Sequence, residues 1–247
     1  MTQALRDAAR AVLFDLDDTL FDHRRSARAA LSELHRVHGR GTDLDAFEIQ
    51  HTKFLEIMHA EVLAGRVGLD EARRERFRRV FFAFDIALET DDVDAVASAY
   101  RSGYMSARRA LDGAAGLLLA LGAHARVGIV TNNLLEEQRD KLASCGLAPH
   151  VDVLIASEDV GVSKPDPGIF VIALERLGVR ASDAVMVGDS WAHDIVGATN
   201  AGIRAIWFNP DRKPVPDMPP GVSAIHALTP PDDILPLLLG GVAWARP

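Results

Sequence analysis

The chain has 247 residues, 48% of them hydrophobic and 25% charged, which is the composition of a globular protein with one large domain or a core plus a smaller one. Its formal net charge of −8 argues against a general nucleic-acid surface, which needs a basic face, but leaves room for a small phosphorylated ligand in a locally positive pocket. The single cysteine, Cys145, excludes an intramolecular disulfide and fits a reducing compartment.

The first apolar run, Ala11–Phe14, reads as a buried strand. It is too short for a secretory leader and meets Asp15 at once. No stretch approaches the ~20 apolar residues that span a bilayer; the segment 234–245 is short and interrupted by Pro236, Gly240 and Gly241. A cytoplasmic protein is expected. Directly behind the first strand comes Asp15-Leu16-Asp17-Asp18-Thr19-Leu20. Two carboxylates two residues apart at a strand end repel each other unless something compensates, and a divalent cation is the natural candidate. With a cation present, one carboxylate can attack an electrophile while the other handles protons. A loop of solvated acids or a helix cap would read the same, so the rest of the chain must decide.

From about Asp22 to Arg109 there is no convincing strand and no proline. Four apolar stripes at helical spacing follow one another: Ala27 to Val37, Phe47 to Val62, Phe77 to Leu88, and Val93 to Tyr104. They predict a four-helix insert, placed where a lid over the strand ends belongs. Arg73, Arg74, Arg76, Arg78 and Arg79, interleaved with Glu71 and Glu75, predict a solvated, ion-paired helix face, with a phosphate-binding patch as the alternative.

After the insert, short β-branched runs alternate with helical patterns. The runs are Arg126–Val130, Val151–Ile155, Ala184–Val187, Arg204–Phe208 and, more weakly, Ala224–Leu228. Leu135, Gln138, Leu142 and Cys145 share one helical face, and Ile169, Phe170, Ala173, Leu174 and Leu177 another. Asp166-Pro167 marks a helix start, and Gly146 and Gly178 suit helix C-termini. The alternation predicts an α/β fold, a doubly wound, mainly parallel sheet covered on both faces, with ligands at the carboxyl ends of its strands. Residues 209–221 carry five of the twelve prolines and read as an irregular surface connection.

Three more strand ends carry polar groups. Thr131-Asn132 offers a hydroxyl and an amide that can hold phosphoryl oxygens, although either residue could merely cap the next helix. Lys164-Pro165 offers an ammonium on a stiffened backbone. Gly188-Asp189 follows a fully apolar strand, and Asp194 comes five residues later.

The set Asp15-x-Asp17-x-Thr19, Thr131-Asn132, Lys164-Pro165 and Gly188-Asp189…Asp194 resembles the haloacid dehalogenase-like hydrolase superfamily. The resemblance implies a Rossmann-like catalytic core at 1–21 and 110–247 and an all-α cap at 22–109. It implies that Asp15 is the nucleophile, forming an aspartyl-phosphate, and that Asp17 is the general acid and then the base. Mg2+ would be bound by Asp15, the carbonyl of Asp17 and Asp189, with Asp194 supporting it directly or through water. Thr131 and Lys164 would hold the phosphoryl group, helped by backbone N–H groups near Asp17 and Asn132. His23 and Arg25, just past the first motif, are candidate substrate contacts or simply the hinge. His193 reads as surface.

A departing halide needs no proton, whereas an alkoxide does. An acid at Asp17 therefore favours phosphate-ester hydrolysis over 2-haloacid dehalogenation. A phosphomutase is a further option, disfavoured by Asp18 where sugar-phosphate mutases usually carry glycine. Signalling receiver domains gather similar groups but are about half this length and lack the insert. The expected substrate is a small phosphomonoester, such as a nucleoside 5′-monophosphate or a sugar phosphate, handled by a monomer or homodimer away from membranes and nucleic-acid polymers.

Overall fold

The computed structural model describes residues 10–214 and 219–240. Residues 1–9, 215–218 and 241–247 lie outside the described residues, including part of the proline-rich connection and the end of the apolar stretch 234–245. The chain forms two compact units, His23–Arg108 and the sequence flanking it on both sides.

The inserted unit contains α1 (His23–His38), α2 (Leu44–Leu63), α3 (Leu69–Phe82) and α4 (Thr90–Ser106). Helix α1 packs on α4, and α2 on α3. Leu31, Phe47, Phe77, Val80, Phe81 and Val96 form the buried centre. Phe47 meets Phe81 edge-on at 5.2 Å and stacks on Phe84 at 5.7 Å, geometries that add to the burial of the rings. The third apolar stripe was expected to run as helix to Leu88. The helix instead stops at Phe82, because Asp85 adopts a left-handed conformation (φ 55°), and Phe84 and Leu88 reach the core from the following turn.

The arginine run on α3 is only partly the ion-paired face expected of it. Arg73 pairs with Asp70, Arg74 and Arg78 with Glu71, and Arg79 with Glu75, at 2.8–2.9 Å. Arg76 departs from this: it is buried, its guanidinium 4.8 Å from the Phe77 ring and 4.9 Å from the Tyr100 ring. It shares a helical face with Val80, one turn on, and a planar guanidinium can stack where an ammonium could not.

The flanking unit is built on six strands: β1 (Ala11–Phe14), β2 (Arg126–Thr131), β3 (Val153–Ala156), β4 (Ala184–Gly188), β5 (Arg204–Phe208) and β6 (Val222–Ile225). Their order is β3-β2-β1-β4-β5-β6, and every neighbouring pair is parallel. The central strands β1 and β4 are buried at every position, which is why both read as unbroken apolar runs. Strand β6 begins two residues earlier than its apolar run suggests, and the ladder closes where Asn209 N donates to Ile225 O at 2.8 Å.

Helices α5 (Ala114–Leu121), α6 (Leu135–Ser144), α7 (Ser157–Val160), α8 (Pro167–Leu177), α9 (Val196–Asn200) and α10 (Pro231–Leu239) complete the unit. Asp166 caps α8 by accepting from Gly168 N at 2.7 Å, and Gly178 ends it in the left-handed region. Between these signals, Ile169, Phe170, Ala173 and Leu177 join Leu13, Val130, Ile155 and Met186 in the sheet core. The two chain crossings at the insert are pinned together: Asp22 N donates to Arg109 O at 3.0 Å and Leu111 N to Leu20 O at 2.8 Å. Among the described residues no helix is long and apolar enough to cross a membrane.

Candidate active site

Because all six strands run the same way, their carboxyl ends share one rim. A cavity of about 170 Å³ opens there, lined by Asp15, Asp17, Thr131, Asn132, Lys164, Asp189 and Asp194, together with Ser190 and His193. The backbone fixes the first acid pair. Asp15 N extends the β1–β4 ladder by donating to Val187 O at 2.9 Å. The chain then turns back sharply, with Leu20 N and Phe21 N both donating to Leu16 O at 3.0 and 2.9 Å. The turn places Asp18 in the left-handed region (φ 61°), which aspartate tolerates better than most side chains. Thr19 is fully buried, and its Oγ1 accepts from Asp189 N at 3.1 Å, tying the turn to the end of β4. From the other side, Trp207 Nε1 donates to Asp189 O at 2.9 Å.

Lys164 lies at the centre. Its Nζ donates to Asp15 Oδ1 at 2.6 Å, Asp194 Oδ1 at 2.7 Å and Val130 O at 2.8 Å, which uses all three protons. Burial works against its charge, but Asp15 and Asp194 outweigh burial and hold the ammonium above its ordinary range. Burial pushes the Asp15 carboxyl well above the usual carboxylate range; Lys164 pulls it down, and Asp194 and Asp189 push it up further. Added positive charge beside these acids would favour their ionised forms. Asn132 clamps the lysine backbone, its Nδ2 donating to Lys164 O at 2.8 Å and its Oδ1 accepting from Lys164 N at 2.6 Å. The expectation for Asn132 was contact with phosphoryl oxygens; the structure gives its side-chain amide a part in placing Lys164.

Asp194 is buried at the end of a short π-helical turn, Trp191–Ile195, a wide turn often found at functional sites. Its Oδ2 accepts from Ser190 N at 2.9 Å. The turn presses the carboxylate onto Gly188, where a Cβ would come within 2.3 Å of Asp194 Oδ2, so only glycine fits. Oxygens of Asp15, Asp189 and Asp194 lie within 4.8 Å of one another. This all-carboxylate donor set is hard and compact, as Mg2+ requires.

The side chain of Asp17 turns away from that trio. Lys141 Nζ donates to Asp17 Oδ1 at 2.6 Å and Oδ2 at 2.8 Å, and Asn133 Nδ2 and Gln138 Nε2 donate to Oδ2 at 3.1 and 3.3 Å. The sequence shows Gln138 only as part of a helical face and does not mark Lys141, Asn133 or Trp207. The one available signal was Gln138 on an otherwise apolar stripe, with a lysine three residues on. His193 is exposed, as expected of it, yet it also lines the cavity, with Nδ1 3.1 Å from Ser190 Oγ. The structure does not gather every candidate into this unit. His23 and Arg25 belong to α1 in the inserted unit, where His23 Nδ1 bonds Tyr104 Oη at 2.8 Å and Arg25 is exposed.

A family model for haloacid dehalogenase-like hydrolases matches residues 9–202. The chain is similar to ribulose-1,5-bisphosphate 5-phosphatase of Halopiger xanaduensis, 33% identical over 214 residues that cover 83% of this chain and 87% of the relative. Among solved structures it is similar to the HAD-hydrolase YfnB of Bacillus subtilis bound to magnesium, with TM-score 0.75, 28% identity and 92% and 99% of the two chains covered. It is also similar to the 2-haloacid dehalogenase of Pseudomonas syringae, with TM-score 0.62, 26% identity and 92% and 98% covered.

Proposed function

The chain belongs to the haloacid dehalogenase-like hydrolases, and we propose that it is a Mg2+-dependent phosphomonoester hydrolase acting on a small phosphorylated metabolite through an aspartyl-phosphate. The observation that carries this reading is the pairing of Asp15 with Lys164 at 2.6 Å in a cavity that a second acid, Asp17, also lines. Asp15 attacks phosphorus, and its new O–P bond forms as the ester P–O bond breaks. Asp17 must enter this step as the neutral acid, and in that form it gives its proton to the departing alkoxide. Asp17, now a carboxylate, takes a proton from the water that attacks phosphorus, and Asp15 leaves as a free carboxylate. Lys164, giving up one of its three hydrogen bonds, and the Thr131 hydroxyl, turning from Gln138 Oε1, would hold the phosphoryl oxygens, and the ammonium opposes their charge. Asp15, Asp189 and the Asp17 carbonyl, with Asp194 in support, would hold Mg2+, which would supply the positive charge that lets an anionic nucleophile approach an anionic ester.

In this reading, His23–Arg108 is a substrate-selecting cap, with His23 and Arg25 as candidate contacts, and the flanking unit is the catalytic core. The phosphatase named above supports a phosphorylated sugar as the substrate class. The dehalogenase neighbour motivates a second reading, 2-haloacid dehalogenation by the same Asp15. That chemistry gives Asp17 nothing to protonate, so the ester reading is preferred. Release of p-nitrophenol from p-nitrophenyl phosphate, dependent on Mg2+ and abolished by EDTA, tests it. Chloride release from 2-chloropropionate that ignores EDTA, with no phosphatase activity, would establish the dehalogenase instead.

A further inference from the structure

We propose that Lys141, supported by Gln138, is a positioning residue that aims the carboxyl of Asp17 during proton transfer; this rests on the phosphomonoesterase reading above. Lys141 is 3% exposed, projects from α6 and reaches a turn 124 residues earlier in the chain. Burying an ammonium is costly unless it is fully paired. Here it contacts both oxygens of one carboxylate, at 2.6 and 2.8 Å, with the Phe21 ring 5.1 Å away. A buried fork of this kind is far more than is needed to pin a helix to a loop, which apolar side chains do at less cost.

What the fork adds is direction. A proton donor must come within ~2.6–3.2 Å of its acceptor, and a carboxyl on a free rotor seldom does so. Contacts to both oxygens leave Asp17 one orientation; its side chain is 24% exposed, and Asp17 is among the residues that line the cavity. Lys141 itself is not part of that wall, so it acts through Asp17 and not on the substrate. Gln138, one turn earlier on α6, extends the arrangement: its Nε2 donates to Asp17 Oδ2 at 3.3 Å, and its Oε1 accepts from Thr131 Oγ1 at 3.5 Å. The proton carrier and the phosphoryl holder therefore share one support, and displacing it would disturb the first more than the second.

The test compares wild type, Lys141→Met, Lys141→Arg and Gln138→Leu on ribose 5-phosphate, whose alkoxide must be protonated to leave, and on p-nitrophenyl phosphate, whose leaving group needs little help. For Lys141→Met, kcat on ribose 5-phosphate should fall about 100-fold with KM little changed, the loss typical of a misaimed catalytic group. On p-nitrophenyl phosphate the same variant should show a rapid burst of p-nitrophenol followed by slow turnover, because the first step no longer needs the acid while hydrolysis of the phospho-enzyme still needs the base. Lys141→Arg should restore most of the lost rate, Gln138→Leu should show a weaker form of the same pattern, and a crystal structure of Lys141→Met should show the Asp17 side chain in a new rotamer. Equal losses on both substrates without a burst, or kinetics matching wild type, would overturn the assignment while leaving the phosphatase reading intact. A wild-type enzyme that hydrolyses neither ester would overturn both.

Discussion

In the flanking unit, Lys164 and Lys141 are each 3% exposed and each meets an aspartate at the end of β1 or in the turn after it. On α3, four arginines remain partly exposed and pair with acids within two turns of the same helix. The second kind of pair forms wherever a helix carries opposite charges at the right spacing, and contributes little. The first kind must overcome the desolvation of both partners, and breaking it leaves a buried charge exposed to an apolar surrounding. A fold that carries two such lysines has accepted a cost that local stability does not explain, whereas the phosphoryl transfer proposed above would explain it.

The strongest way to break this contrast is at its centre. Asp15→Asn should lower turnover of p-nitrophenyl phosphate by more than about 1000-fold, while circular dichroism remains that of wild type. Substantial residual activity would remove Asp15 as nucleophile. Chelation with EDTA should abolish turnover reversibly, and readdition of Mg2+ should restore it; full activity in the chelator would remove the metal from the scheme. Gly188→Ala should cost about 1–3 kcal/mol of stability in urea unfolding and most of the activity, because the added methyl meets the Asp194 carboxylate at 2.3 Å. A neutral result would show that the turn at Trp191 yields easily.

The helical unit should respond to pH through a different group. His51 is buried, and burial first, then the charges of Arg76 and His23, holds its imidazole well below the usual range. The folded state thus binds fewer protons here than the unfolded chain. The contribution is complete above about pH 6.5, the unfolded value, and is lost progressively as pH falls below it. His51→Phe should flatten the decline of Tm between about pH 7 and pH 5; an unchanged slope would place the sensitivity elsewhere. The smallest effect is expected at Arg36, paired with Glu33 one turn away on the surface of α1. Arg36→Ala should leave Tm unchanged within about 1 °C, and a larger drop would mean that surface pairs matter more in this unit than the comparison allows.

How far each feature could be read follows from the range of the forces behind it. The strands β1, β2, β4 and β5 are apolar runs because parallel strands buried on both faces tolerate little else, and a run of this kind is visible in a few residues. The cap at Asp166 and the end at Gly178 are equally local. The end of α3 was misplaced because the apolar stripe continues past the residue, Asp85, whose backbone breaks the helix. Arg76 resembled its neighbours because a helix sequence does not tell which face its partners will cover. Lys141 was passed over for the same reason, since its partner Asp17 lies 124 residues away.

The sequence alone determined the order of the strands and helices, the interruption by a helical segment, and the chemical type of each group at the strand ends, because these depend on neighbours within a turn or two. Tertiary structure decided which charges face one another. Only when the β3-β2-β1-β4-β5-β6 sheet assembles do Asp15, Lys164 and Asp194 come within hydrogen-bonding reach, and only then does Lys141 find Asp17. Coulomb energy and desolvation depend on distance and burial in space, and neither is written in the spacing of residues along a chain.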